Sequence, residues 1–88
     1  MTRDGKIGSF LHVLTAEEAN YLQRLASQSP LQIPLLIGID AIHGNAQVAG
    51  CTVYPTSIGQ ASTFDPELVE RICEETAAEM RATGSQWT

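Results

Sequence analysis

An α/β fold built on a parallel sheet is what this 88-residue sequence predicts. Ile33-Pro34-Leu35-Leu36-Ile37-Gly38-Ile39 is an apolar run without polar alternation, the pattern of a parallel strand covered on both faces. Helical stripes with marked starts lie on either side of it. The order is β-α-β-α-(β), which calls for helices packed over a parallel sheet.

Ile7 to Leu14 reads as the first strand, opened by Gly5-Lys6 and closed by Thr15. Thr15-Ala16-Glu17-Glu18 is a capping box, so a helix starts there. It is expected to run to Ser27 and to bury Ala19, Leu22, Leu25 and Ala26, with Ser29-Pro30 breaking it. Pro34 opens the second strand, where its missing N–H does least harm. Asp40 is the first charged residue after that strand. From Gly44 to Thr63 the chain is expected to form one long loop, rich in small and polar residues.

Asp65 as N-cap, Pro66 at the first helical position and Glu67 in the first turn start a second helix. Its inner stripe is expected to be Leu68, Val69, Ile72, Cys73, Thr76, Ala77 and Met80, with Gly84 as a left-handed stop. Glu67 with Arg71, and Arg71 with Glu75, are spaced as ion pairs on the wet side. Ser85-Gln86-Trp87-Thr88 reads as the start of a third strand. Two or three strands do not close a parallel sheet, and a (β/α)8 barrel needs about 250 residues. Residues 1–88 are therefore expected to be one continuous fragment of a larger TIM-barrel domain, with two to three parallel strands and two covering helices.

The formal charge of −5, with only five Lys and Arg in all, argues against a nucleic-acid or anionic membrane partner. The N-terminal residues lead into no hydrophobic signal region, and no apolar stretch approaches the roughly 20 residues that cross a bilayer. Cys51 and Cys73 are the only cysteines and lack the spacing of a zinc site or redox pair, so free thiols are expected.

Asp40 stands where parallel α/β folds bind ligands, at a carboxyl strand end. On the residues alone, a turn cap and a ligand contact explain it equally well. His43 is expected to donate a ring N–H to backbone; His12, late in the first strand, could point into the pocket, but is better read as satisfied by a neighbouring carbonyl. Neither is paired with a nucleophile, and no donor set for a metal accompanies them. Glu67, Glu70, Glu74, Glu75 and Glu79 are expected to form a solvated helix face. Trp87 is either core or a ring for a sugar to stack on, and Tyr54 is expected to pack under the loop.

Three separated segments together resemble a known family: residues 33 to 44, Thr52-Val53-Tyr54-Pro55-Thr56-Ser57-Ile58-Gly59, and Phe64-Asp65-Pro66-Glu67-Leu68-Val69. They are similar to the N-terminal barrel domain of glycoside hydrolase family 3, the β-glucosidase and β-xylosidase group. The resemblance extends from about Gly5 to Thr88. It implies a retaining, exo-acting hydrolase of β-linked glycosides, with no cofactor. It also implies that Asp40 binds hydroxyls of the terminal sugar in the first subsite. The nucleophile and the acid/base of such an enzyme are implied to lie beyond residue 88, so no catalytic residue is expected within the chain. Its partners would be a small β-linked glycoside or oligosaccharide and the rest of the barrel. The rival expectation is a standalone small α/β module that binds a sugar or a protein edge without catalysis.

Overall fold

The computed structural model describes all 88 residues, in the order β1 (Ser9–Leu11), α1 (Ala16–Ser27), β2 (Leu36–Gly38), α2 (Ser57–Ala61) and α3 (Pro66–Thr83). β1 and β2 are parallel, with Ser9 opposite Leu36, Phe10 opposite Ile37 and Leu11 opposite Gly38. The expected third strand is present as a single parallel bridge between Gly38 and Trp87. Gln86 completes that edge, because its N–H donates to the Ile37 carbonyl at 2.8 Å and its side-chain oxygen accepts from the Ile37 N–H at 2.7 Å.

Both strands are shorter than the sequence predicts. β1 ends at Leu11 because His12 adopts a φ of 62°, in the left-handed region, and cannot continue the extended chain. At the other end of β2, Leu35 pairs with a side chain instead of a strand. Its N–H donates to the Gln23 amide oxygen and its carbonyl accepts from the Gln23 NH2 group, each at 2.9 Å.

α1 begins as expected, with the Thr15 hydroxyl accepting the Glu18 N–H at 3.1 Å. The reciprocal bond from Thr15 N–H to the Glu18 carboxylate is not made, so half of the capping box is in place. Ala19 and Ala26 are buried against Val13, Leu35 and Ile37, with Phe10 and Leu22 packed alongside. α3 likewise starts as expected, Asp65 accepting the Leu68 N–H at 3.0 Å, and ends at Gly84 with φ 97°. A Cβ on Gly84 would lie 2.5 Å from that of Ala19, so glycine serves both the turn and the contact between α1 and α3.

Three expectations about packing are corrected. The sheet is covered on one face only: Leu35, Ile37 and Ile39 are buried, whereas Leu11, Leu36 and Trp87 on the opposite face are about half exposed. The inner stripe of α3 is buried at Thr76 and Met80 alone, and Cys73 and Ala77 are open. The helices number three, because α2 forms inside the expected 44–63 loop, with Gln60 buried and its side-chain NH2 donating to the Pro55 carbonyl at 2.7 Å.

These bare faces show in the shape. The principal extents are 50 × 21 × 16 Å and the radius of gyration is 15.3 Å, against roughly 12 Å for a compact chain of this length. Two small clusters replace one core, the first against α1 and the second formed by Ile39, Val48 and Met80. No helix is long and apolar enough to cross a membrane.

Candidate functional site at the carboxyl ends of the strands

Parallel pairing puts the ends of β1 and β2 side by side, so His12 and Asp40 meet although 28 positions apart. His12 Nε2 lies 3.1 Å from Asp40 Oδ2. This corrects the expectation that His12 is satisfied by a carbonyl: its backbone N–H donates to the Gly38 carbonyl at 2.8 Å, while its ring faces the carboxylate. The Asp40 side chain is 56% exposed, and its Oδ1 has no partner within the molecule.

The backbone around Asp40 is fixed from both sides. Ile39, fully buried, donates its N–H to the Trp87 carbonyl at 3.1 Å, and the Ala41 N–H donates to the Thr88 hydroxyl at 2.9 Å. A carboxylate on such a base projects into solvent from a rigid strand exit. It can accept hydrogen bonds from a polyol or amide, with one oxygen already engaged.

His43 departs from expectation. Its Nδ1 is buried without a partner, and it is the His43 backbone carbonyl that holds the loop, accepting the Tyr54 N–H at 2.9 Å. Gly44 follows at φ 88° with the Thr52 carbonyl against its Cα, a contact that any Cβ would block.

The acidic face of α3 is only partly a solvated one. Glu79 accepts the Thr52 N–H at 3.0 and 3.1 Å and the Thr52 hydroxyl at 2.9 Å, and Glu75 accepts the Tyr54 hydroxyl. Neither expected ion pair of Arg71 forms. Two glutamates thus tie residues 52–54 to α3, which anchors the far side of the loop above the strand ends. The Tyr54 phenol is pushed up from its ordinary range, chiefly because its hydroxyl donates to the Glu75 carboxylate. Cys51 and Cys73 are free thiols, and burial, followed by the charge of Glu79, pushes the Cys51 thiol up.

Asp65 is occupied as the cap of α3, and no group of three His, Cys, Asp or Glu is placed to hold a metal ion. A separate apolar groove of about 130 Å³ runs between α3 and the 41–44 turn, lined by Ala41, Ile42, Ile72, Ala77 and Met80; Asp40 does not line it. It marks the uncovered stripe of α3. Sequence reasoning located Asp40 but missed its partner; the signal available was that two strands in parallel must end together, so a polar residue closing each one is a candidate pair.

In folds built on a parallel sheet, ligands bind at the carboxyl ends of the strands, and those are the ends at which His12 and Asp40 meet. Residues 3–88 match the glycosyl hydrolase family 3 N-terminal domain, and the chain belongs to that family. It is 30% identical over its whole length to a periplasmic beta-glucosidase of Salmonella typhimurium, covering 11% of that protein. It is 33% identical to a beta-xylosidase of Formosa agariphila, with 92% of this chain and 12% of the relative aligned. A periplasmic beta-glucosidase/beta-xylosidase of Dickeya chrysanthemi is 34% identical, over 96% of this chain and 15% of that protein. The family and these relatives are glycoside hydrolases, and the chain spans between a tenth and a sixth of their length.

Proposed function

We propose that these 88 residues form the opening section of the (β/α)8 domain of a retaining, exo-acting β-glycosidase, in which Asp40 binds hydroxyls of the terminal sugar. The observation that carries this reading is a rigidly held, half-solvated carboxylate at a parallel strand exit, with Oδ1 free, in a chain of family 3. A sugar hydroxyl suits it, since the free carboxylate oxygen accepts charge-assisted hydrogen bonds. The bare sheet face and open α3 stripe support the barrel reading, because both are surfaces that further strands and helices of a barrel would cover.

Hydrolysis with retention needs two carboxyl groups about 5 to 5.5 Å apart, one nucleophile and one acid/base. Asp40 stands without a second carboxylate beside it; its ionisable partner is His12. On the family resemblance, Asp40 acts in binding and the reacting pair comes from the remainder of the barrel. The 88-residue chain alone is expected to be inactive, and an assay on aryl β-glucosides and β-xylosides checks it: turnover abolished by Asp40→Asn would overturn the expectation.

In a polypeptide that joins this chain to a complete family 3 domain, Asp40→Ala lowers kcat/KM by roughly ten- to a hundredfold, the effect of losing a hydrogen bond to a charged group in a site. The melting temperature stays within about 2 °C, because Asp40 is exposed and its one pairing is a surface contact. Near wild-type kcat/KM with a large fall in melting temperature would make Asp40 a scaffold residue and sink the reading.

A further inference from the structure

We propose that His12 is a positioning residue for Asp40: its imidazole fixes Oδ2, so that Oδ1 is presented in one orientation to a substrate hydroxyl. This rests on the reading of Asp40 as a sugar-binding carboxylate.

Four observations converge. Nε2 and Oδ2 are 3.1 Å apart, hydrogen-bond distance for an imidazole N–H on a carboxylate oxygen. The other carboxylate oxygen has no partner in the molecule. His12 reaches this position with φ 62°, a conformation uncommon for a residue with a Cβ, and its N–H is tied to the Gly38 carbonyl at 2.8 Å. Backbone of this kind persists where surrounding structure holds it, and it concentrates at ligand sites.

The fourth observation is exposure. The two side chains are 39% and 56% exposed, so the pair contributes little to holding the fold together. What the pair does supply is direction. An aspartate side chain at a strand exit has two free torsions, and a single hydrogen bond to one oxygen confines both. The substrate then meets a carboxylate whose ordering has already been done, which strengthens binding without adding a contact to the sugar.

The test uses the polypeptide carrying this chain within a complete family 3 catalytic domain, assayed on an aryl β-glucoside. His12→Asn keeps a residue that tolerates the left-handed backbone but is too short to reach Oδ2, and His12→Gly is a second truncation compatible with that backbone. Either variant raises KM about three- to tenfold with kcat within twofold and the melting temperature within about 2 °C. His12→Gln, whose amide can donate to the same oxygen, recovers most of the loss. Combined with Asp40→Ala, the truncation adds nothing, since both act through one carboxylate. Unchanged KM in both truncations, a fall in melting temperature without a change in KM, or an additive loss in the double variant overturns the positioning role while Asp40 keeps its own. Unchanged kinetics in Asp40→Ala alone overturns both readings.

Discussion

At the scale of single residues, Gly38 is a position near the site where only glycine fits the packing as it stands. It lies one residue before the buried Ile39 and pairs with Leu11 on one side and Trp87 on the other. A Cβ there would sit 2.5 Å from the Trp87 indole ring, so the ring lies flat across the strand only because residue 38 has no side chain. Gly38→Ala is expected to push the ring off the sheet and to cost about 1 to 3 kcal/mol, the range for overpacking a close contact. Trp87 is the sole tryptophan, so the displacement reads directly as a red shift in emission, and an unshifted spectrum with an unchanged melt would contradict the packing. Asp40 was legible in the sequence because it ends an apolar run, and it stands where that reading put it. His12 was not, because its role depends on register between two segments and on a left-handed backbone angle that no local pattern announces. The unpartnered Nδ1 of His43 is of the same kind: the turn was legible, but which group of the histidine serves it was decided by Tyr54, eleven residues on.

At the scale of elements, the helix starts followed from the sequence because capping is local chemistry. Thr15 and Asp65 each satisfy an amide three residues on, and Gly84 stops α3 in the left-handed conformation foreseen for it. The short α2 was hidden by its composition, since Ser57-Ile58-Gly59-Gln60-Ala61 has neither a helical stripe nor a side-chain N-cap hydrogen bond, and the Gln60 side chain bonds to Pro55. The link between the 52–54 segment and α3 was hidden too, because spacing suggests neighbours for Glu75 along its own helix and says nothing of Tyr54. That link has a pH dependence whose sign is fixed. The Tyr54 phenol is an acid whose pKa rises on folding above the ordinary 10.0, so the folded state retains a proton that the unfolded state gives up. Its contribution is whole below pH 10.0 and is lost as pH climbs through the raised folded value. Tyr54→Phe should therefore remove part of the alkaline destabilisation. Melting curves collected between neutral pH and pH values above the phenol range check it, and identical alkaline slopes for the two proteins would remove Tyr54 from the anchor.

At the scale of the whole molecule, hydrophobic surface and shape point the same way. Of 88 residues 16 are buried, and the accessible surface is 5944 Å², against roughly 5000 Å² for a compact monomer of this mass. Part of the excess lies on the sheet and beside α3. Leu11, Leu36 and Trp87 form one apolar strip on the uncovered sheet face, beside an edge of β1 that no strand pairs, and Ile42 lies at the mouth of the groove along α3. Exposed apolar strips of this kind next to open strand edges drive association. The 88-residue chain on its own is accordingly expected to self-associate at micromolar concentration, to bind a hydrophobic dye and to melt over a broad range. With the sheet face as the associating surface, Leu11→Lys with Leu36→Glu should suppress association and dye binding while the circular dichroism of α1 and α3 is retained. These two side chains are both more than half exposed, so the exchange removes no buried contact. Sedimentation velocity decides the matter: a wild-type chain that is monomeric with a sharp melt would mean that its two small clusters suffice as a core, and the inference from bare face to missing barrel would fail with it.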